Sequence, residues 1–184
     1  MPDILLIILG LFVLLCIYII VVYNGLIALK NRIKNGWAQI ETQLQRRYDL
    51  IPNLVETVKG YAAHEKEVFE NVTKARASLM SAQGVTGKAE ADSMLSGTLK
   101  SLFAVAENYP ALKANENFKE LQIELTSTEN KIAYARQYYN DTVLCFNTAI
   151  ETFPKNIIAA MCSYKAHDYY ESKPEAKDPV AVKF

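Results

Sequence analysis

Twenty consecutive positions, Ile4 to Tyr23, carry no charge, and only Gly10 breaks their run of large side chains. At about 1.5 Å per helical residue the run spans ~30 Å, the thickness of a bilayer's hydrocarbon core. Beyond it the pattern changes to a stripe. Leu26, Leu29, Ile33, Trp37, Ile40 and Leu44 recur at intervals of 3, 4, 4, 3 and 4. That spacing puts them on one face of a helix, and its lean toward a seven-residue repeat suits packing at shallow angles. No proline interrupts Ile4 to Ile51, so anchor and first helix are expected to run on as one rod, weakest at Asn24-Gly25. Pro52 should end or kink it.

A second helix is expected from about Pro52 to Ser81, with Leu54, Val55, Val58, Ala62, Phe69, Val72, Ala75 and Leu79 inward. Gln83 to Lys88 has two glycines and no periodicity, which reads as a loop. A third helix from about Ala89 to Asn108 should bury Met94, Leu95, Leu99, Leu102, Phe103 and Ala106, and Tyr109-Pro110 should stop it. Asn117 with Glu120 three residues on resembles a capping box opening the longest helix, to about Phe153. Its stripe includes Phe118, Leu125, Ile132, Tyr139, Val143 and Phe146, and Pro154 ends it. Ile157 to Tyr164 adds a short last helix. Val180, Val182 and Phe184 alternate in the tail, which suggests an extended segment on the domain.

These patterns predict an all-α protein: one N-terminal transmembrane helix, then an up-and-down antiparallel bundle of long helices. The expected divisions are an anchor over residues 1–24, a helical bundle over 25–168 and a tail over 169–184.

Composition and charge sharpen this picture. The chain has 20 basic and 20 acidic residues, so no nucleic-acid-binding face is expected. Met1-Pro2-Asp3 lacks the positive residues of a signal peptide, and the apolar run exceeds an h-region of ~7–15 residues. An uncleaved anchor is therefore expected. Lys30, Arg32, Lys34, Arg46 and Arg47 follow it, against Glu41 and Asp49. The positive-inside rule then places the C-terminal domain in the cytoplasm and the N-terminus outside. Cys16, Cys145 and Cys162 form no CxxC pair, which fits a reducing compartment.

The densest polar cluster is Arg46-Arg47-Tyr48-Asp49 with Asn53. Its arginines have the chemistry to bind a partner or anionic lipid. The plainer reading has Asp49 or Asn53 capping the second helix while the arginines face water or pair with acids. The run Ser127-Thr128-Glu129-Asn130 sits mid-helix, where such residues have modest propensity. It suggests a buried polar layer bonding Arg136, Asn53 or Glu56 and setting helix register. Neither His64 nor His167 has Glu three residues before it, so no di-iron motif forms and no metal or cofactor is expected. Cys145 has no neighbouring His, and Gly84 and Gly87 lack the strand and GK[ST] of a phosphate loop.

Several stretches carry a family resemblance. Trp37-Ala38-Gln39-Ile40 and the block from Gln43 to Ala62, QLQRRYDLIPNLVETVKGYA, are two of them. Tyr109-Pro110, Leu112 to Phe118, Ser127 to Ala133, Ala135-Arg136, Tyr139-Asn140 and Phe153-Pro154 continue the match. Together they resemble the LemA family from about Asn24 to Phe184. The resemblance implies a bacterial single-pass protein with a helical bundle, no established activity or cofactor, and relatives at magnetosome membranes.

The expected function is that of a non-enzymatic, membrane-anchored interaction or scaffold protein. Its partners are the lipid bilayer and either further copies of itself, as a homo-oligomer, or other membrane proteins. The alternative is a cytoplasmic-facing sensor or adaptor bundle that binds a small ligand or lipid headgroup near Arg46, Arg47, Arg136 and Ser127 to Asn130.

Overall fold

The computed structural model describes residues 2–171. The tail expected over 169–184 therefore lies almost wholly outside the described residues. Those described are helical, without strands. The helices are α1 (Pro2–Lys59), α2 (Lys66–Ser81), α3 (Gly84–Ala106), α4 (Pro110–Ala114), α5 (Glu116–Glu151) and α6 (Lys155–Met161). The expected all-α fold led by a long apolar helix is what the structure shows.

Pro52 does not end the first helix, and α1 continues through it to Lys59. An internal proline lacks the N–H that would bond the carbonyl four residues back. That carbonyl belongs to Tyr48, and here it accepts a 2.8 Å hydrogen bond from Arg76 Nε of α2. The break comes instead at Gly60–Glu65, and α2 starts fourteen residues later than Pro52, at Lys66. α1, not the helix through Phe118, is also the longest.

The expected loop at Gln83–Lys88 is largely helix. Only Gly84 needs special backbone, at φ +71°, a left-handed conformation that glycine adopts without a Cβ clash. From there α3 begins at once, and Lys88 Nζ donates to the Leu79 carbonyl at 2.9 Å, closing the end of α2. The tertiary contact outweighs the weak helix propensity of Gly84 and Gly87.

Tyr109-Pro110 does stop α3, and Pro110 then opens the short helix α4. The cap of α5 is Asn115, not Asn117: Asn115 Oδ1 accepts from the Phe118 N–H at 3.0 Å. α5 ends at Glu151, ahead of Pro154.

The chain divides into two compact units, with α1 and α5 contributing to both. Unit 1 comprises residues 2–40 and 135–168 of those described, and unit 2 residues 41–134 and 169–171. In unit 1, Val22 and Leu26 of α1 are buried with Ile158 and Ala159 of α6. Trp37 tilts against Tyr139 with ring centroids 5.9 Å apart. Tyr139 donates from its hydroxyl to the Asp168 carbonyl at 3.0 Å. Asn147 grips the backbone of His167 in both directions, at 2.9 and 3.0 Å. In unit 2, Leu44, Leu54 and Val58 of α1, Val72 and Leu79 of α2, Leu95 and Leu102 of α3 and Leu125 of α5 are buried. These are the positions that the 3–4 spacing selects. Met94 is the exception, at 56% exposure.

Candidate functional site

Two places in unit 2 concentrate polar chemistry: a closed ion cluster and an open cleft.

The cluster grows from Arg47. Along α1 the apolar positions Ile33, Trp37, Ile40, Leu44, Ile51 and Leu54 keep the 3–4 spacing, and Arg47 occupies the register between Leu44 and Ile51. Its side chain is consequently carried inward and is 2% exposed. A buried guanidinium needs carboxylates. Arg47 Nη1 donates to Asp92 Oδ1 of α3 at 2.8 Å, and Nη2 donates to Glu129 Oε2 of α5 at 3.3 Å. Tyr170, itself buried, donates from its hydroxyl to Asp92 Oδ2 at 3.3 Å. Burial pushes the Asp92 carboxyl above its usual range, although Arg47 and the Tyr170 hydroxyl pull the other way.

Arg47 Nε and, one turn earlier on α1, Gln43 Oε1 are buried without a hydrogen-bond partner among the described residues. Such orphans are unfavourable by about 1–3 kcal/mol each. A polar layer of this kind specifies which helices meet more than it adds to stability.

The other expected site residues are dispersed. Arg46 is half exposed and pairs with Glu124 on the surface. Asp49 and Asn53 are exposed and mid-helix, so neither caps a helix as anticipated. Glu56 is exposed and pairs with Lys59 at 3.1 Å. In the Ser127–Asn130 run, Ser127 is half-buried, while Glu129 and Asn130 are exposed by residue. Thr128 is the member fully buried, and it bonds the Glu124 carbonyl one turn back at 2.8 Å. Arg136 is exposed and belongs to unit 1.

Asp92 and Tyr170 escaped the sequence reading. Asp92 was findable: it lies three residues before Leu95 and seven before Leu99, on the stripe α3 buries. Tyr170 follows the last helix in an irregular segment, where no periodicity marks an inward residue.

The open cleft lies between α1 and α5. It is lined by Leu50, Asn53, Glu56, Thr57, Asn117, Glu120, Leu121, Ile123 and Glu124, with a volume near 810 Å³. Ile123 is 68% exposed. The lining holds three glutamates and no basic residue, beside the apolar Leu50, Leu121 and Ile123. Such a surface favours a cationic, partly apolar ligand. Among the described residues, no group of three or more His, Cys, Asp or Glu is placed to hold a metal ion.

Comparison with known proteins follows the same lines. The chain is 26% identical to magnetosome protein MamQ 2 of Paramagnetospirillum magneticum, an alignment covering 86% of this chain and 68% of that protein. It is 24% identical to magnetosome protein MamQ of Magnetospirillum gryphiswaldense over the same shares. It is 27% identical to protein LemA of Metamycoplasma hominis, over 74% of this chain and 63% of that protein. The LemA family profile matches residues 36–184, and the chain belongs to the LemA family.

Proposed function

We propose that this protein is a single-pass membrane protein whose helical units form a non-catalytic interaction platform on the cytoplasmic side. The observation that carries the reading is the first third of α1. From Ile4 to Val21 every residue but the half-buried Cys16 is exposed, although they are among the most apolar residues of the chain, with Leu5 at 69% and Leu14 at 64%. No soluble fold leaves such a surface in water. Relatives named for the magnetosome support a place at a membrane. The basic residues Lys30, Arg32 and Lys34 just after the run support the cytoplasmic side.

The apolar stripe of α1 is covered by the chain's own packing, with Leu26, Ile33, Ile40 and Leu44 each at most 3% exposed. The surface this proposal assigns to a partner is the cleft with three glutamates in its lining. Its occupant in this proposal is a lysine- or arginine-bearing segment of another protein at the same membrane. The surface pairs Arg46–Glu124 and Lys59–Glu56 exchange readily, because exposed ion pairs contribute only ~0–1 kcal/mol. The glutamates of this cleft disfavour an anionic headgroup as its occupant.

A photoactivatable crosslinker placed at Ile123, in the full chain in native membranes, tests the proposal. Adducts with a second protein, lost on Glu120→Lys, are expected. An adduct of twice the chain mass would instead make the platform a homo-oligomer. Uncrosslinked chain alone would sink the interaction reading.

A further inference from the structure

Of the positions Ile4 to Tyr23, Val22 is the one that is buried, at 7% exposure. What covers it is α6: Val22 and Leu26 form a cluster with Ile158 and Ala159, against which Ala149, Ile150 and Tyr164 pack. α6 is therefore held at the last turn of the apolar run and the first turn beyond it. Resting on the anchor reading above, that level is the boundary between acyl chains and headgroups.

The other side of α6 is apolar and uncovered. Ile157 and Met161 lie four residues apart, hence on one face, and are 53% and 80% exposed. Phe153, at the entry to the helix, is 75% exposed. Ile158 and Ala159 point to the core, so this face looks away from α1. The surroundings suit the same level. Tyr23 is 43% exposed and Tyr164 half-buried, and tyrosines favour the membrane–water interface. Lys30 reaches over the Tyr164 ring at 5.4 Å from its centroid. Between Asn24 and Asp168, unit 1 carries the basic residues Lys30, Arg32, Lys34, Arg136, Lys155 and Lys165 against Asp141, Glu151 and Asp168.

We infer that α6 is an interfacial membrane element, with Phe153, Ile157 and Met161 inserted into the leaflet from which α1 emerges. Lys155 and Lys165 stand among the headgroups. A short amphipathic helix with an apolar face and flanking lysines binds an interface in this way. The insertion gives unit 1 a second attachment to the bilayer beside α1.

The test places single tryptophans in the full chain, reconstituted in phospholipid vesicles, with Trp37 of the parent protein as baseline. Ile157→Trp and Met161→Trp should emit to the blue and lose most of the added emission to lipids brominated high on the acyl chain. Met94→Trp, on the exposed face of α3, should show neither effect. Phe12→Trp, quenched by lipids brominated deep on the chain, reports the anchor separately. If Phe12→Trp is quenched while Ile157→Trp and Met161→Trp behave like Met94→Trp, α6 is not in the interface and the inference falls, with the anchor intact. A blue shift without bromine quenching would mean that protein covers the face, which also overturns it. If Phe12→Trp is not quenched, both readings fall.

Discussion

Arg76 Nε donates a 2.8 Å hydrogen bond to the carbonyl oxygen of Tyr48, the acceptor that Pro52 leaves without a helical donor. The guanidinium also lies 6.0 Å from the Tyr48 ring centroid. A side chain of α2 thus repairs the ladder of α1 where proline interrupts it. Arg76→Met should destabilise unit 2 by about 1–3 kcal/mol, because the carbonyl loses its partner. In a Pro52→Ala background the residue 52 N–H returns, and the same substitution should have a clearly smaller effect. Denaturant unfolding of the four proteins in detergent makes the cycle. Equal losses in both backgrounds would show that the bond is incidental.

The pair Arg47–Asp92 should behave asymmetrically. Arg47→Met leaves Asp92 buried beside Tyr170 with no cation, and the loss should be about 3–5 kcal/mol. Arg47→Met with Asp92→Leu removes both charges and should recover most of it. A double variant as unstable as the sum of the single ones would contradict a self-contained buried pair.

Asp92 also sets a pH dependence. Its folded pKa is raised above 3.8 by burial, so the folded state holds the proton more tightly than the unfolded chain. The stability this group contributes is complete below about pH 3.8 and is lost as pH rises through the folded pKa. The stability of wild type minus that of Asp92→Asn should therefore fall as pH climbs out of that range, then level off. A difference that grew with pH would mean that Arg47, not burial, dominates the carboxyl.

Asn115→Ala should destabilise the start of α5 by about 1 kcal/mol through loss of the cap on Phe118 N–H. Asn115→Asp should keep most of that cap. Asn117→Ala, inside the first turn, should be nearly neutral by the same unfolding measurement.

These positions show what was legible in the sequence. Apolar spacing from Leu26 onward identified the buried faces of the long helices, Met94 apart, because burial and helical period act on the same residues. The apolar run Ile4 to Tyr23 was equally plain, and the structure leaves nearly all of it uncovered along α1. Boundaries were harder. Pro52 and Gly84 are strong local signals, offset by contacts between helices: Arg76 of α2 reaches the Tyr48 carbonyl of α1, and Lys88 of α3 reaches the Leu79 carbonyl of α2, visible only once the helices are packed. The choice between Asn115 and Asn117 turned on two residues, a smaller interval than periodicity resolves. Arg47 stands out by its charge, and its place in the apolar register between Leu44 and Ile51 already implies burial with an acid on a facing helix. Tyr170 lay beyond any pattern. The cleft at Ile123 is lined by residues of both α1 and α5 in unit 2, a juxtaposition that no single helix encodes.

The central claim is a bilayer crossed once by α1, with the helical units on the cytoplasmic side. Cys145 is exposed on α5 and free, and a membrane-impermeant maleimide applied to spheroplasts reads its side directly. The account expects no label on Cys145 until the membrane is opened, and full label afterwards in the membrane fraction. Labelling of Cys145 on sealed spheroplasts would place the helical units outside and contradict it.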